Sequence, residues 1–275
     1  MPPAKKQALP LLQSWSYSVY TSWLECPKRT YFRSVAKIRM PEDKGPPLIK
    51  GDMVHKAAET YVSTIAHTPK LEPDIAGATR ELENLGLSKP DLAREITNLR
   101  TAAVNLAKHK PELDTIRKAR GRTEVEWAFT RQFTPTGWFA KDAWLRIKVD
   151  VYTEQYAPEP LLQIVDHKTG KPYDAHRQQR SLYALGGLQL VSLGAVMSRA
   201  DAAKVTATAS HWYTDTGFKD TEQFSMASLK PLMREWAART KEMLNDTVYP
   251  ARPSARACRF CPYKKSLGGP CLEDM

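Results

Sequence analysis

The sequence predicts an α/β or α+β fold in which a mixed central sheet is flanked by helices. Three observations carry this expectation. Apolar residues recur at helical spacing through most of the first 120 residues; three alternating, strand-like stretches follow from residue 123; and two long helical stretches bracket a further strand after residue 176. Of the 275 residues, 42% are hydrophobic and 26% charged, which is ordinary for a globular chain with a real core. The length allows one large domain, or one domain with a small appendage.

Residues 1–13 read as a flexible lead. Residues 14–37 read as a helix, with Tyr17, Tyr20, Leu24, Tyr31 and Phe32 at roughly helical spacing, interrupted by Pro27 just after Cys26. Residues 41–47 read as a loop, and 51–64 as a second helix with Val54, Ala57, Ala58, Tyr61 and Ile65 on its apolar side. Residues 66–120 continue the helical periodicity as an insertion, broken at Pro69, Pro73, Pro90 and Pro111. The pattern then changes. Val125, Trp127 and Phe129 alternate with Glu124 and Glu126 over 123–130, and 144–153 and 161–169 also read as strands, the three forming an antiparallel meander. Residues 176–197 read as a helix with a Gly-rich middle. In 204–213, Val205, Ala207, Ala209 and His211 alternate with polar neighbours as in a strand, and 226–246 is a strong helix.

The formal net charge is +11, which leans toward a polyanionic partner, nucleic acid before anionic membrane. The excess sits at the ends: residues 1–50 carry nine basic and three acidic side chains, residues 229–271 carry the same, and the middle is nearly neutral. No stretch of 18 apolar residues suggests a membrane span, and no apolar leader is visible, so the expected location is the cytoplasm. In such a reducing compartment the four cysteines, Cys26, Cys258, Cys261 and Cys271, are not expected as disulfides. Cys258 and Cys261 form a C-x2-C pair with Cys271 nine residues on. Four thiolates suit a [4Fe–4S] cluster or a tetrahedral zinc, and the cysteine-bearing ends hold little apolar core of their own.

The residues with chemistry lie on the predicted strands. Asp166, His167 and Lys168 end an apolar strand, and period-2 geometry puts Asp166 and Lys168 on one face with His167 on the other. Asp150 breaks the apolar row of Leu145, Ile147 and Val149 on the preceding strand, so the two carboxylates can meet at one end of the sheet. Paired carboxylates call for a cation between them, and hard oxygen ligands suit Mg2+ or Mn2+. A lysine beside such a metal can orient a water or stabilise a pentavalent phosphate, which fits metal-assisted phosphodiester hydrolysis.

The block Ile164-Val165-Asp166-His167-Lys168-Thr169-Gly170, preceded by Asp150 and followed by Gln179 and Tyr183, resembles the PD-(D/E)XK nuclease superfamily, and within it the RecB-like branch that carries an iron–sulfur cluster. The resemblance spans residues 16–271. It implies a restriction-endonuclease-like core, with residues 14–37 and 247–275 joined as a cysteine-cluster subregion of a single nuclease domain, 14–275. It implies Asp150 and Asp166 as metal-binding carboxylates, the His167 main-chain carbonyl and His55 as further ligands, and Lys168 as the lysine of the (D/E)-x-K element. Gln179 and Tyr183 match the Q-x-x-x-Y helix. Glu126 matches the acidic residue of the first strand, with Glu124 on the same strand face. Cys26, Cys258, Cys261 and Cys271 match the one-plus-three cluster cysteines. One departure is Ile147, where the family often has a glycine three residues before the aspartate.

The resemblance thus implies a metal-dependent DNA exonuclease in recombination, repair or phage DNA processing (in the host cytoplasm if phage-encoded). The chain has no G-x-x-x-x-G-K-[ST] loop, so a helicase would be a separate partner, as would a single-strand annealing protein. Oligomeric state stays open. Joining the two basic ends would gather Lys28, Arg29, Arg256 and Arg259 into one DNA-binding surface. Two other readings use some of the same features: a non-catalytic DNA-binding protein with a zinc-stabilised tail, and a nuclease-fold assembly subunit.

Overall fold

The computed structural model describes residues 8–41, 44–64, 69–156, 158–197 and 202–273. The chain divides into two compact units. A terminal unit comprises Met1–Asp43, Ala128–Arg146 and Met233–Met275; a central unit comprises Lys44–Trp127 and Ile147–Leu232.

The central unit opens with α3 (Pro46–Ser63), which follows α1 (Tyr17–Glu25) and α2 (Pro27–Thr30) of the terminal unit. The sequence pattern starts this helix at residue 51 and leaves 41–47 as a loop. In the structure Pro46 and Pro47 occupy the first helical turn, where a missing N–H costs nothing and the fixed φ suits the helix. The same rule places Pro90 at the start of α5 (Lys89–Lys108) and Pro111 at the start of α6 (Lys110–Lys118), after α4 (Ile75–Glu83). The breaks expected at these prolines are there: Pro69 and Pro73 lie between α3 and α4, and Pro90 and Pro111 open the helices that follow a break. Ile65 lies outside the described residues.

The sheet has six strands: β1 (Arg122–Phe129), β2 (Pro135–Thr136), β3 (Leu145–Gln155), β4 (Leu161–Lys168), β5 (Thr206–Tyr213) and β6 (Phe218–Ser225), in the order β2-β1-β3-β4-β5-β6. β3 and β4 pair antiparallel, from Gln155↔Leu161 to Val151↔Val165. β4 and β5 pair parallel along their whole length, joined by α7 (Asp174–Ser192), and β6 returns antiparallel to β5. The sequence pattern gives β1, β3, β4 and β5 but neither β2 nor β6. β6 is half-solvated, with only Phe224 buried, so it has no apolar run to reveal it.

Helices cover both faces of this sheet. Val151, Val165 and Trp212 share one core with Val54, Ala57 and Tyr61 of α3 and with residues of α4, α5 and α6. On the opposite face α7 approaches closely because it carries two glycines. A Cβ on Gly186 would lie 2.8 Å from Ile147 and 3.0 Å from Trp127, and one on Gly187 would lie 3.3 Å from Leu162 and Ile164. The Gly-rich middle of the predicted helix is thus the groove into which the strand side chains fit.

In the terminal unit α1 ends at Cys26, whose extended backbone (φ −157°, ψ 103°) separates it from α2. The expected break thus falls on the cysteine itself, Pro27 opening the next helix. A π-helical turn follows at Tyr31–Val35. The indole of Trp15 packs on Trp144 and Trp236, with ring centroids 5.6 and 5.8 Å away. Trp23 donates to Asp246 at 2.8 Å, Tyr249 to the Pro10 carbonyl at 3.1 Å and Tyr263 to the Ile38 carbonyl at 3.1 Å. Aromatic packing and hydrogen bonds therefore join the N- and C-terminal segments. α8 (Leu229–Leu244) is followed by α9 (Ala255–Arg259), which carries the first cysteine of the C-terminal group.

Candidate active site

Asp150 and Asp166 lie one step beyond the last antiparallel pair, Val151↔Val165, where β3 and β4 part. The backbone N–H of His167 donates to Asp150 Oδ2 at 2.7 Å, which fixes that carboxylate in the middle of β3, where β4 parts from it. His55, from the middle of α3, brings Nδ1 to 3.2 Å from the same oxygen. Burial opposes charge on His55, but the hydrogen bond and negative charge of Asp150 outweigh it, and its pKa is pushed up to about 9. Burial likewise opposes charge on Asp150, and is outweighed by the hydrogen bonds from His167 and His55, so its pKa is depressed.

Asp166 is held differently. Lys168 Nζ lies 2.6 Å from Oδ2, on the same strand face as the period-2 reading requires, and Tyr183 donates to Oδ1 at 2.6 Å. Gln179, one turn earlier on α7, donates to the Tyr183 hydroxyl at 2.6 Å. Gln179, Tyr183 and Asp166 thus form one hydrogen-bonded relay. Burial raises the Asp166 pKa, the Asp150 charge adds to it, and Lys168 and Tyr183 oppose it.

His55, Glu124 and Asp150 each bring one ligand atom within 4.8 Å of the others. Glu126 is exposed on the strand and is not in this group. The two glutamates are two apart and the alternation gives them one face. However, Glu124 has a φ of +52°, a left-handed conformation that interrupts the pleat and redirects a side chain. Glu124 is paired with Lys148. Each carboxylate therefore has a cation against it: His55 on Asp150, Lys148 on Glu124 and Lys168 on Asp166. Oxygen and imidazole donors balanced by displaceable cations are a donor set that fits a hard divalent ion.

Three further residues reach the site, unforeseen as site residues. His211 of β5 is fully buried with Nε2 3.7 Å from Asp166 Oδ2. Arg180 of α7, also buried, lies with Nη1 3.2 Å from His211 Nδ1 and 2.7 Å from Asp220. An arginine can only donate, so Nδ1 is the acceptor and the His211 proton sits on Nε2, toward Asp166. His176 Nδ1 lies 2.7 Å from the Tyr213 hydroxyl. Burial lowers the pKa of His211 to about 2 and of His176 to about 4, with Lys168 adding to both. The available signal was His211 itself, a histidine in the apolar row of Val205, Ala207 and Ala209.

In the terminal unit Cys26, Cys258, Cys261 and Cys271 all line one cleft, with Lys28, Arg29, Phe32 and Tyr263. All four are free thiols. The Cys261 N–H donates to the Cys258 carbonyl at 3.2 Å, a tight turn, and the Cys271 N–H donates to the Tyr263 carbonyl at 2.9 Å. Burial raises the Cys261 pKa, and Cys26 and Cys271 add to it. The four thiols share this cleft, but among the described residues no three of their sulfurs lie within 4.8 Å of one another. Among the residues expected to bind DNA, Arg29 pairs with Glu25 at 2.5 Å and Arg256 approaches it at 3.7 Å. Lys28 lies over the Tyr31 and Phe32 rings, and Arg259 over Phe260.

A family model of the PD-(D/E)XK nuclease superfamily matches residues 14–266. No curated protein matches. A solved structure described as the crystal structure of SSO0001 aligns over 78% of this chain and 94% of its own, at 13% identity and a TM-score of 0.28, too low a likeness to carry an argument about the fold.

Proposed function

The chain belongs to the PD-(D/E)XK nuclease superfamily, and from that premise we propose a divalent-metal-dependent DNA exonuclease of the RecB-like, iron–sulfur-bearing branch. The observation that carries the reading is the gathering of Asp150, Asp166 and Lys168 where β3 and β4 part, with Asp166 fixed by the Tyr183–Gln179 relay. Nucleases of this superfamily generally use Mg2+ or Mn2+. His55, Asp150, Asp166 and the His167 carbonyl would hold it here, with Glu124 taking the place expected of Glu126. Bound there, the ion supplies Lewis-acid polarisation of a phosphoryl oxygen and a water of lowered pKa.

The chain's own residues do the rest. Tyr183, itself held by Gln179, keeps Asp166 at one rotamer. Lys168 Nζ sits beside Asp166 and orients the attacking water or steadies charge on the phosphate. To serve as a ligand His55 would have to give up its proton. In the terminal unit the four cysteines would hold a [4Fe–4S] cluster in a structural role.

Purified protein with Mg2+ or Mn2+ should degrade linear DNA carrying 5′ or 3′ end labels and spare covalently closed circles. Asp166→Ala and Lys168→Ala should each lower the rate at least about 100-fold. Cleavage indifferent to both substitutions and to EDTA would sink the mechanism. DNA binding without any cleavage would favour the non-catalytic reading. Anaerobically purified protein should be brown; a colourless protein holding one zinc would remove the cluster and leave the nuclease.

A further inference from the structure

The sequence between Cys258 and Cys261 is Arg259-Phe260, and neither side chain faces inward. Phe260 is 81% exposed, with the Arg259 guanidinium 4.9 Å from its ring centroid. One exposed aromatic residue is ordinary on any surface. Its setting is not. Phe260 lines a groove of about 540 Å³ in the terminal unit, together with Arg29, Arg33, Arg259 and Lys264 and three hydroxyl residues of α1. Among the described residues no acidic side chain lines it; Glu25 pairs with Arg29 and takes up part of that charge. The groove shares Arg29, Tyr263 and Lys264 with the cysteine cleft, so the turn that carries two thiols also presents the aromatic ring.

Basic side chains, short hydroxyls and an open aromatic face are the three elements of single-strand recognition: the cations follow the phosphates, the hydroxyls bond to phosphate oxygens, and the ring stacks on a base. A duplex hides its base faces and gains nothing from Phe260. We propose that this groove binds single-stranded DNA, with Phe260 as the stacking platform for one base and Arg259 and Lys264 as phosphate contacts. The proposal rests on the reading of the chain as a DNA nuclease and names the strand form that the terminal unit grips.

The test measures binding of oligo-dT of about 16 nucleotides by fluorescence anisotropy, on the full chain carrying Asp166→Ala so that no probe is consumed. Adding Phe260→Ala should weaken oligo-dT binding about 10-fold and change duplex affinity by less than about 2-fold. Phe260→Trp should restore the affinity; Phe260→Leu, which keeps an apolar side chain without a ring, should not. Arg259→Gln with Lys264→Gln should flatten the salt slope by roughly 1 to 1.5. Oligo-dT affinity indifferent to Phe260→Ala, or lost equally for duplex, overturns the proposal. Cleavage by the wild-type chain is scored separately. Cleavage with Phe260 indifferent overturns the groove alone; Phe260-dependent binding without cleavage overturns the nuclease reading alone.

Discussion

The two regions rich in metal-binding side chains are built in opposite ways. In the central unit every candidate ligand is already held by the fold. Asp150 is fixed by the His167 N–H and His55, Asp166 by Tyr183 and Lys168, and the strands and helices that carry them are packed on both faces of the sheet. In the cysteine region the thiols surround a cleft but little packs around them. Between residues 250 and 273 only Ala257 and Tyr263 are buried, and the longest helix, α9, has five residues. The contrast teaches where a metal would matter for which property. In the central unit it would add chemistry to a finished scaffold. In the cysteine region it would supply the order that an apolar core supplies elsewhere.

The largest expected effect tests that division directly. Cys258→Ser should lose the bound metal and leave the segment after Asp246 open to limited proteolysis, with a lowered melting temperature. Asp166→Asn should leave melting unchanged or slightly raised at neutral pH. A carboxyl whose pKa is raised by burial destabilises the fold when charged, and the amide removes that charge. If Cys258→Ser keeps its protease resistance while Asp166→Asn unfolds, the comparison is inverted.

The same contrast explains what was legible in the sequence. Asp150, Asp166 and Lys168 lie on strands whose alternation is plain, while Gln179 and Tyr183, one turn apart on a helix, are joined to them only by the resemblance to the family. Arg180 and His211 escape because their meeting depends on β5 running parallel to β4 through the α7 crossover, which no local pattern encodes. β6 is too polar to be read as a strand. Glu124 escapes for a backbone reason: a positive φ inside a strand defeats the rule that residues two apart share a fate.

That last point gives a sharper, smaller test inside the central unit. Glu124→Gln should weaken Mn2+ binding about 10- to 100-fold, measured by titration calorimetry. Glu126→Gln, at an exposed position, should change it by less than about 2-fold. The reverse order would return the first-strand ligand to Glu126 and make the left-handed turn at Glu124 incidental.

The smallest effect is in proton uptake, and it separates the units because all five described histidines lie in the central one. His109 and His176 have pKa values lowered to about 4 and His211 to about 2, in each case first by burial. A histidine held neutral in the fold contributes stability that is complete above its unfolded pKa of about 6.5 and is lost as pH falls toward the folded value. His55 has the opposite sign. Its pKa is raised to about 9, so without metal it contributes stability below about 6.5 that disappears as pH rises through 9. Metal affinity at His55 should therefore improve over the window in which its ion pair with Asp150 weakens. On the acid side each buried histidine contributes at most about 1.4 kcal/mol per pH unit. Hydrogen exchange should show the central unit losing protection between pH 6.5 and 4, and His176→Phe should remove one proton's share of that slope. Protection lost first in the terminal unit, or a slope unmoved by His176→Phe, would mean that the buried imidazoles are not what acid attacks.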